Sequence, residues 1–254
     1  MNWNTLLSLP PVAAEHGRHV DDLIIYMHWL MAALFVGWLL YFAYALIRFR
    51  RGRNPKADYV GVRSHASSYL EVAVAAVEGG LLIFLAVPLW AKAVDKFPDK
   101  HQATVSSVVG QQFNWNALYA DKDGEFGRQD MGFVSATNLF GLDPSDPRGT
   151  NNVQVTGLGE MHVPVNKPVI CYISSKDVIH SFKVIAMRVT QDAIPGMRIP
   201  LWFTPVKEGR YQINCAQLCG NSHSAMAAGM LVVESQAAFD KWLSSKRGAA
   251  TSFE

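Results

Sequence analysis

The chain has 254 residues, half of them apolar, with 23 Lys and Arg against 21 Asp and Glu and a formal net charge of +2. So balanced a charge gives no basis for a nucleic-acid partner. An apolar half in a chain of this length exceeds what one ordinary water-soluble domain needs, so part of it is expected outside water.

Residues 1–22 read as a short external tail. Their apolar patch, Leu6 to Pro11, lacks the basic leader and the longer apolar core of a signal peptide. From Leu23 to Ile47 there is no Asp, Glu, Lys or Arg, and the run exceeds the ~20 residues that cross a bilayer core. It is apolar all round rather than amphipathic, which favours a membrane span over the buried helix of a soluble protein. A second run, about 69–91, is long enough but holds Glu71 and Glu78. It spans only if those carboxylates face protein or water, which implies another membrane subunit as neighbour. The loop between carries Arg48, Arg50, Arg51, Arg53, Lys56 and Arg63, whereas the N-terminal flank has Arg18 against Glu15, Asp21 and Asp22. Positive loops stay inside, so residues 23–94 form a two-pass hairpin with both termini outside the cytoplasm.

Residues 95–254 read as a soluble all-β domain. Thr104–Val109, Pro168–Ile173, Val178–Ile185 and Tyr211–Asn214 are rich in β-branched and aromatic residues and lie between Gly, Pro, Asn and Asp clusters. Several short strands of this kind suggest a sandwich or barrel. Asp121–Asn152, rich in turn formers, is expected as a long loop available for partner contact. After Ser235, the residues Ala237, Phe239, Trp242 and Leu243 fall roughly at helical spacing and predict a short terminal helix packed on the domain.

The chemistry lies in Cys215-Ala-Gln-Leu-Cys219-Gly-Asn-Ser-His223-Ser-Ala-Met226. Thiolate and thioether sulfur favour copper, and imidazole suits copper or zinc. A disulfide between Cys215 and Cys219 is conceivable in an external domain. A structural zinc site would have to draw in the distant His180, because methionine is not among its usual ligands. A mononuclear blue-copper site would leave one thiolate unexplained. A pair of coppers bridged by both sulfurs uses every donor. Cys171 lies in an apolar run and reads as a core residue.

The chain resembles cytochrome c oxidase subunit II over nearly its whole length. The loop just quoted matches that family's CuA motif Cys-x-x-x-Cys-x-x-x-His-x-x-Met without a gap. Asp177-Val-Ile-His180-Ser-Phe resembles the segment supplying the first histidine, and Asp192-Ala-Ile-Pro-Gly196 the stretch after it. Gly110-Gln-Gln-Phe-Asn-Trp115 is similar to the family's aromatic strand, with Phe113 and Asn114 where many members have Trp and Tyr. Leu70-Glu71 is similar to the start of the second helix, although Val74 and Glu78 stand where Trp and Pro are usual.

The resemblance implies a cupredoxin-like Greek-key barrel on a membrane anchor, in a bacterial inner membrane with the copper domain in the periplasm. It implies dinuclear CuA bridged by Cys215 and Cys219, with His180 and Met226 completing one copper and His223 and the carbonyl of Gln217 the other. Partners are then subunit I of a haem-copper oxidase, further oxidase subunits and a cytochrome c donor, with electrons passing to haem in subunit I. The family usually has Glu at position 217, reaching a boundary Mg; a neutral amide is a weaker ligand for a hard cation, so Mg is left out of the ligand assignment. A quinol oxidase subunit would lack the copper ligands, and a CuA-bearing nitrous or nitric oxide reductase component would share the loop without this anchor. Electron acceptance is expected at Phe113 and Trp115. Docking of a basic cytochrome is expected at Asp177, with Asp121, Asp123 and Glu125 as companions, and Glu71 with Glu78 are the proton-path residues.

Overall fold

The computed structural model describes residues 3–56, 59–61, 63–135, 137–157 and 159–250. It divides into two units, one of residues 1–7 and 19–92 and the other of residues 8–18 and 93–254. The first unit is helical. After a short turn, α1 (Trp3–Leu6), come α2 (Gly17–Arg48) and α3 (Ala66–Asp95). At 32 and 30 residues they are about 48 and 45 Å long, more than the ~30 Å core of a bilayer requires. Each begins earlier and ends later than the apolar runs alone suggest, because polar residues at the ends continue the same hydrogen-bonded ladder.

Large apolar side chains around both helices are bare, Phe35 at 68% and Phe84 at 75% exposure among them. Surfaces of that kind require lipid or a partner protein. Leu82–Ala86 of α3 is a π-turn. Pro88 explains its position: its ring lacks an N–H and crowds the carbonyl four residues earlier, that of Phe84, and a wider turn relieves both.

The second unit is the expected β domain. Its strands are β1 (Thr104–Gln111), β2 (Asn114–Tyr119), β3 (Val153–Val155), β4 (Glu160–Pro164), β5 (Val169–Ser175), β6 (His180–Val184), β7 (Val189–Ala193), β8 (Ile199–Phe203), β9 (Gly209–Gln212), β10 (Asn214–Cys215) and β11 (Met230–Glu234). They form three sheets in the orders β3-β2-β1-β5-β8, β10-β6-β7 and β4-β11-β9. The centre of the largest sheet is the parallel pair β1 and β5, with Thr104 opposite Val169 and Gly110 opposite Ser175.

Strand β5 is apolar on both faces because both are covered. Val169, Cys171 and Ile173 enter the main core, whereas Ile170 meets Ala103 and Val105 in a smaller cluster. Cys171 is buried, as its apolar context predicts, and its thiol meets Ser106 at 3.3 Å. Trp115, Ala117 and Tyr119 alternate inward from β2 into the main core, which also takes in Cys219 and Met226.

Three expectations need revision. The N-terminal stretch is no free tail: Ala13 and Ala14 are buried, the Ala13 amide donates to the Ala186 carbonyl at 2.8 Å, and Ala14 bridges to Pro205. Gly110–Trp115 is not one strand but the end of β1, the two-residue turn Gln112–Phe113 and the start of β2, with Gln111 paired to Asn114. The terminal helix α4 (Gln236–Ala250) forms as expected, but Ala237 is exposed. Phe239, Trp242 and Leu243 share the inward stripe at three- and four-residue spacing. Trp242 stacks on His162 at 4.1 Å and meets Tyr119 edge-on at 5.5 Å.

Candidate metal centre

Three connections converge at one end of the β domain: the β1–β2 turn, the β5–β6 loop and the loop after β10. His180 opens β6 and is fully buried. Asp177 reaches back from the preceding loop, and one of its oxygens meets His180 Nε2 at 2.8 Å. Occupying Nε2 leaves Nδ1 facing the cysteine loop, 3.9 Å from Cys215 Sγ. The Cys215 thiol donates to the Gln217 carbonyl at 3.1 Å, whereas the Gln217 side chain is exposed. Cys219 Sγ lies 3.3 Å from His223 Nδ1 and 3.4 Å from Met226 Sδ. Donor atoms of His180, Cys215 and Cys219 all fall within 4.8 Å of one another.

These spacings suit a shared metal. Nitrogen at about 2.0 Å and sulfur at about 2.3 Å from one tetrahedral ion, the dimensions known for zinc, lie about 3.5 Å apart. A disulfide is not formed, since both cysteines are free. Two thiols with a thioether and imidazoles form a soft donor set, which favours copper. Burial, then the neighbouring Cys215, pushes the Cys219 thiol up to about 11. Burial also raises the Asp177 carboxyl, but hydrogen bonds from the Gln112 amide, His180 and the Val178 amide outweigh it and hold the group below its ordinary value.

The other expected residues are distributed unevenly. Phe113 is partly buried against the core, and a Cβ on Gly220 would sit 2.9 Å from its Cζ, so the ring packs directly on the cysteine loop. Trp115 is 1% exposed, edge-on to Phe182 at 5.3 Å and 6.0 Å from the His180 ring. It therefore supports His180 from below and offers no surface to a partner. Asp121, Asp123 and Glu125 are not brought to the site. They follow the far end of β2, a six-residue strand of roughly 20 Å at ~3.4 Å per residue. There Asp121 accepts from Asn151, Asp123 caps the Glu125 amide, and Glu125 pairs with Lys100. Glu71 and Glu78 are exposed on α3 in the other unit.

Two residues of the Gly110–Trp115 stretch have site roles that the sequence did not assign. Gly110 leaves room for His180, since a Cβ there would lie 2.9 Å from the ring. Gln112 donates from Nε2 to the Cys219 carbonyl at 2.6 Å and from its backbone to Asp177 at 2.8 Å. The resemblance of this stretch gives Gln112 no role of its own; a glycine inside a β-branched strand was the available signal of close approach.

Residues 104–235 match the family described as cytochrome C oxidase subunit II, periplasmic domain. The alternative cytochrome c oxidase subunit 2 of Bradyrhizobium diazoefficiens is 31% identical over 93% of this chain and 83% of its own. Cytochrome c oxidase subunit 2 of Cereibacter sphaeroides is 32% identical over 87% of this chain and 76% of its own. A crystal structure of the periplasmic domain of cytochrome oxidase subunit II from Bradyrhizobium japonicum aligns with a TM-score of 0.42 and 28% identity, over 57% of this chain and 94% of that one. With its two apolar helices, its β domain and its soft donor cluster, the chain belongs to the cytochrome c oxidase subunit II family.

Proposed function

We propose that this chain accepts single electrons from a cytochrome c at a dinuclear CuA centre and delivers them to haem in subunit I of a haem-copper oxygen reductase. Family membership makes it a membrane-anchored subunit of an oxidoreductase complex. The observation that carries the finer reading is the convergence of two thiols, two imidazole Nδ1 atoms, one thioether and the Gln217 carbonyl on one small volume. In this reading Cys215, Cys219, His180, His223, Met226 and the Gln217 carbonyl would hold the copper pair. When bound, the copper pair supplies a one-electron carrier.

The chain's own residues hold and shield the site. Asp177 fixes the His180 ring so that Nδ1 points inward, the carboxylate–histidine arrangement that orients metal ligands. His180 and Met226 are closed to water and Cys219 nearly so. His180 on β6 and Cys215 on β10 are carried by strands, which limits their freedom to move when the charge changes. Because the Cys219 thiol is pushed up to about 11, its proton must leave as the metal arrives. Around the ligands Val178, Ile179 and Leu218 are exposed, Leu218 at 76%. We assign this apolar rim, with Phe113 beside it, to contact with the electron donor or subunit I.

In the same reading the basic 48–63 loop is cytoplasmic and the β domain periplasmic. Glu71 and Glu78, seven positions apart and so on nearly one side of α3, face subunit I or its proton path. The test is to load the full chain with copper in detergent and record metal content, absorption and EPR spectra. Two coppers sharing one unpaired electron are expected, and Cys215→Ser or Cys219→Ser should abolish that signal. An unchanged spectrum in either variant overturns the ligand assignment.

A further inference from the structure

Between β10 and the 3-10 turn His223–Ala228, the stretch that carries Gln217 and Cys219 has no regular structure of its own. Among the described residues it is pinned at its start, where the Ala216 amide donates to the Ser181 carbonyl at 2.9 Å, and near its end, where the His223 amide donates to the Gly220 carbonyl at 3.1 Å. Between those points the Cys219 carbonyl is met by the Gln112 side chain at 2.6 Å. That contact comes from outside the loop, from a residue 107 positions away in the sequence. The Gln112 backbone amide donates to one oxygen of Asp177 at 2.8 Å, while the other oxygen of Asp177 meets His180 Nε2 at 2.8 Å.

We infer that Gln112 is a positioning residue: through two hydrogen bonds it ties the Cys219 loop to the Asp177–His180 pair and so fixes the spacing between a thiolate and an imidazole on different segments. The inference rests on the ligand assignment proposed above. The chemistry of the contact is specific, because a carbonyl oxygen only accepts and the side chain opposite it must donate. Glutamine supplies an N–H there. Glutamate of the same shape would set an anionic oxygen against the carbonyl, and leucine would supply nothing.

Gly220, with φ at 142°, reinforces the arrangement, since a Cβ there would lie 2.9 Å from Gln112 Nε2 and 2.9 Å from Phe113 Cζ. The hairpin turn and the cysteine loop are therefore in direct contact at this glycine. A side chain in place of the hydrogen would push the two apart and stretch the Gln112 hydrogen bond.

A docking role for this exposed residue would order variants differently. If Gln112 only met a basic electron donor, Glu would strengthen the encounter and Lys would weaken it. If it positions the loop, Lys keeps a donor of sufficient reach and Glu does not. The experiment uses the full copper-loaded chain in detergent, with Gln112→Glu, Gln112→Leu and Gln112→Lys beside the parent. The readouts are the EPR spectrum and the rate of copper loss to a chelator.

Gln112→Glu and Gln112→Leu should lose copper up to about tenfold faster, the effect of one hydrogen bond, and should show an altered spectrum. Gln112→Lys should stay close to the parent. Unfolding of the metal-free variants should match the parent, since the side chain is exposed. Parent-like retention and spectrum in Gln112→Glu overturn the inference while leaving the ligand assignment standing. A parent chain that binds no copper pair overturns both.

Discussion

Gly110→Ala tests how closely the β1 strand is fitted to the metal site. A Cβ at this position would stand 2.9 Å from His180 Cδ2, 3.0 Å from His180 Cγ and 3.1 Å from Trp115 Cζ3. Carbon atoms in good contact lie about 3.5–4.0 Å apart, so both rings would have to retreat by roughly half an ångström or more. Neither has an easy way out. His180 is fully buried and its Nε2 is held by Asp177, and Trp115 is packed edge-on against Phe182. Overpacking of this kind costs about 1–3 kcal/mol, offset by about 0.5–1 kcal/mol from removing a flexible glycine from a strand. The net loss, about 1.3 kcal/mol at the middle of these ranges, should lower the melting temperature by about 3–5 °C. The assay is thermal unfolding of the metal-free chain followed by tryptophan fluorescence, with the EPR spectrum of the copper-loaded form alongside. A strained His180 should change the spectrum as well as the stability. An unaltered melting temperature together with a parent spectrum would refute the close fit.

Gln217→Ala should retain two coppers and a near-parent spectrum, because the side chain is exposed and any residue supplies the carbonyl that faces Cys215; loss of copper from a folded protein would count against a carbonyl ligand. Gln217→Glu should raise divalent-cation affinity in the assembled oxidase, measured by metal analysis, since a carboxylate is the harder donor. Met226→Leu conserves volume at a site 1% exposed, so stability should fall by less than about 1.5 kcal/mol. The EPR spectrum should nonetheless change, because the sulfur 3.4 Å from Cys219 is gone. The 121–152 loop should tolerate mild acid. Ser145 and then Arg128 hold the Asp143 carboxyl below its ordinary 3.8, and Arg148 with the Arg128 amide does the same for Asp146. A lowered folded pKa contributes stability that is complete above the ordinary value and is lost only as pH falls through the lowered one. Protease sensitivity of this loop should therefore stay flat from neutral pH to about pH 4 and rise below it; a rise near pH 6 would contradict the assignment.

What the sequence discloses and what it hides at this site follow from how far apart the interacting residues lie. The grouping of Cys215, Cys219, His223 and Met226 is legible because metal-binding donor types crowd into one short loop, and His180 joins them through its Asp177 context. The membrane helices are legible because a bilayer demands a continuous apolar length. By contrast, Gln112 and Gly110 are ordinary residues whose roles exist only after folding. The β1–β5 parallel pairing sets the ends of two distant strands side by side, and β6 then starts beside them. The Ala13–Ala14 stitch is hidden for the same reason: two alanines show no periodicity, and their partners are Ala186 and Pro205. The acidic residues at 121–125 illustrate the converse. Their charge is obvious in the sequence, but strand direction carries them to the end of β2 remote from the cysteines. The proposed ligands thus come from two of the three connections that meet at one end of the domain, and none is assigned to the third. Its glycine admits the His180 ring and its glutamine grips the Cys219 loop, so the connection without ligands bears on the spacing between those with them.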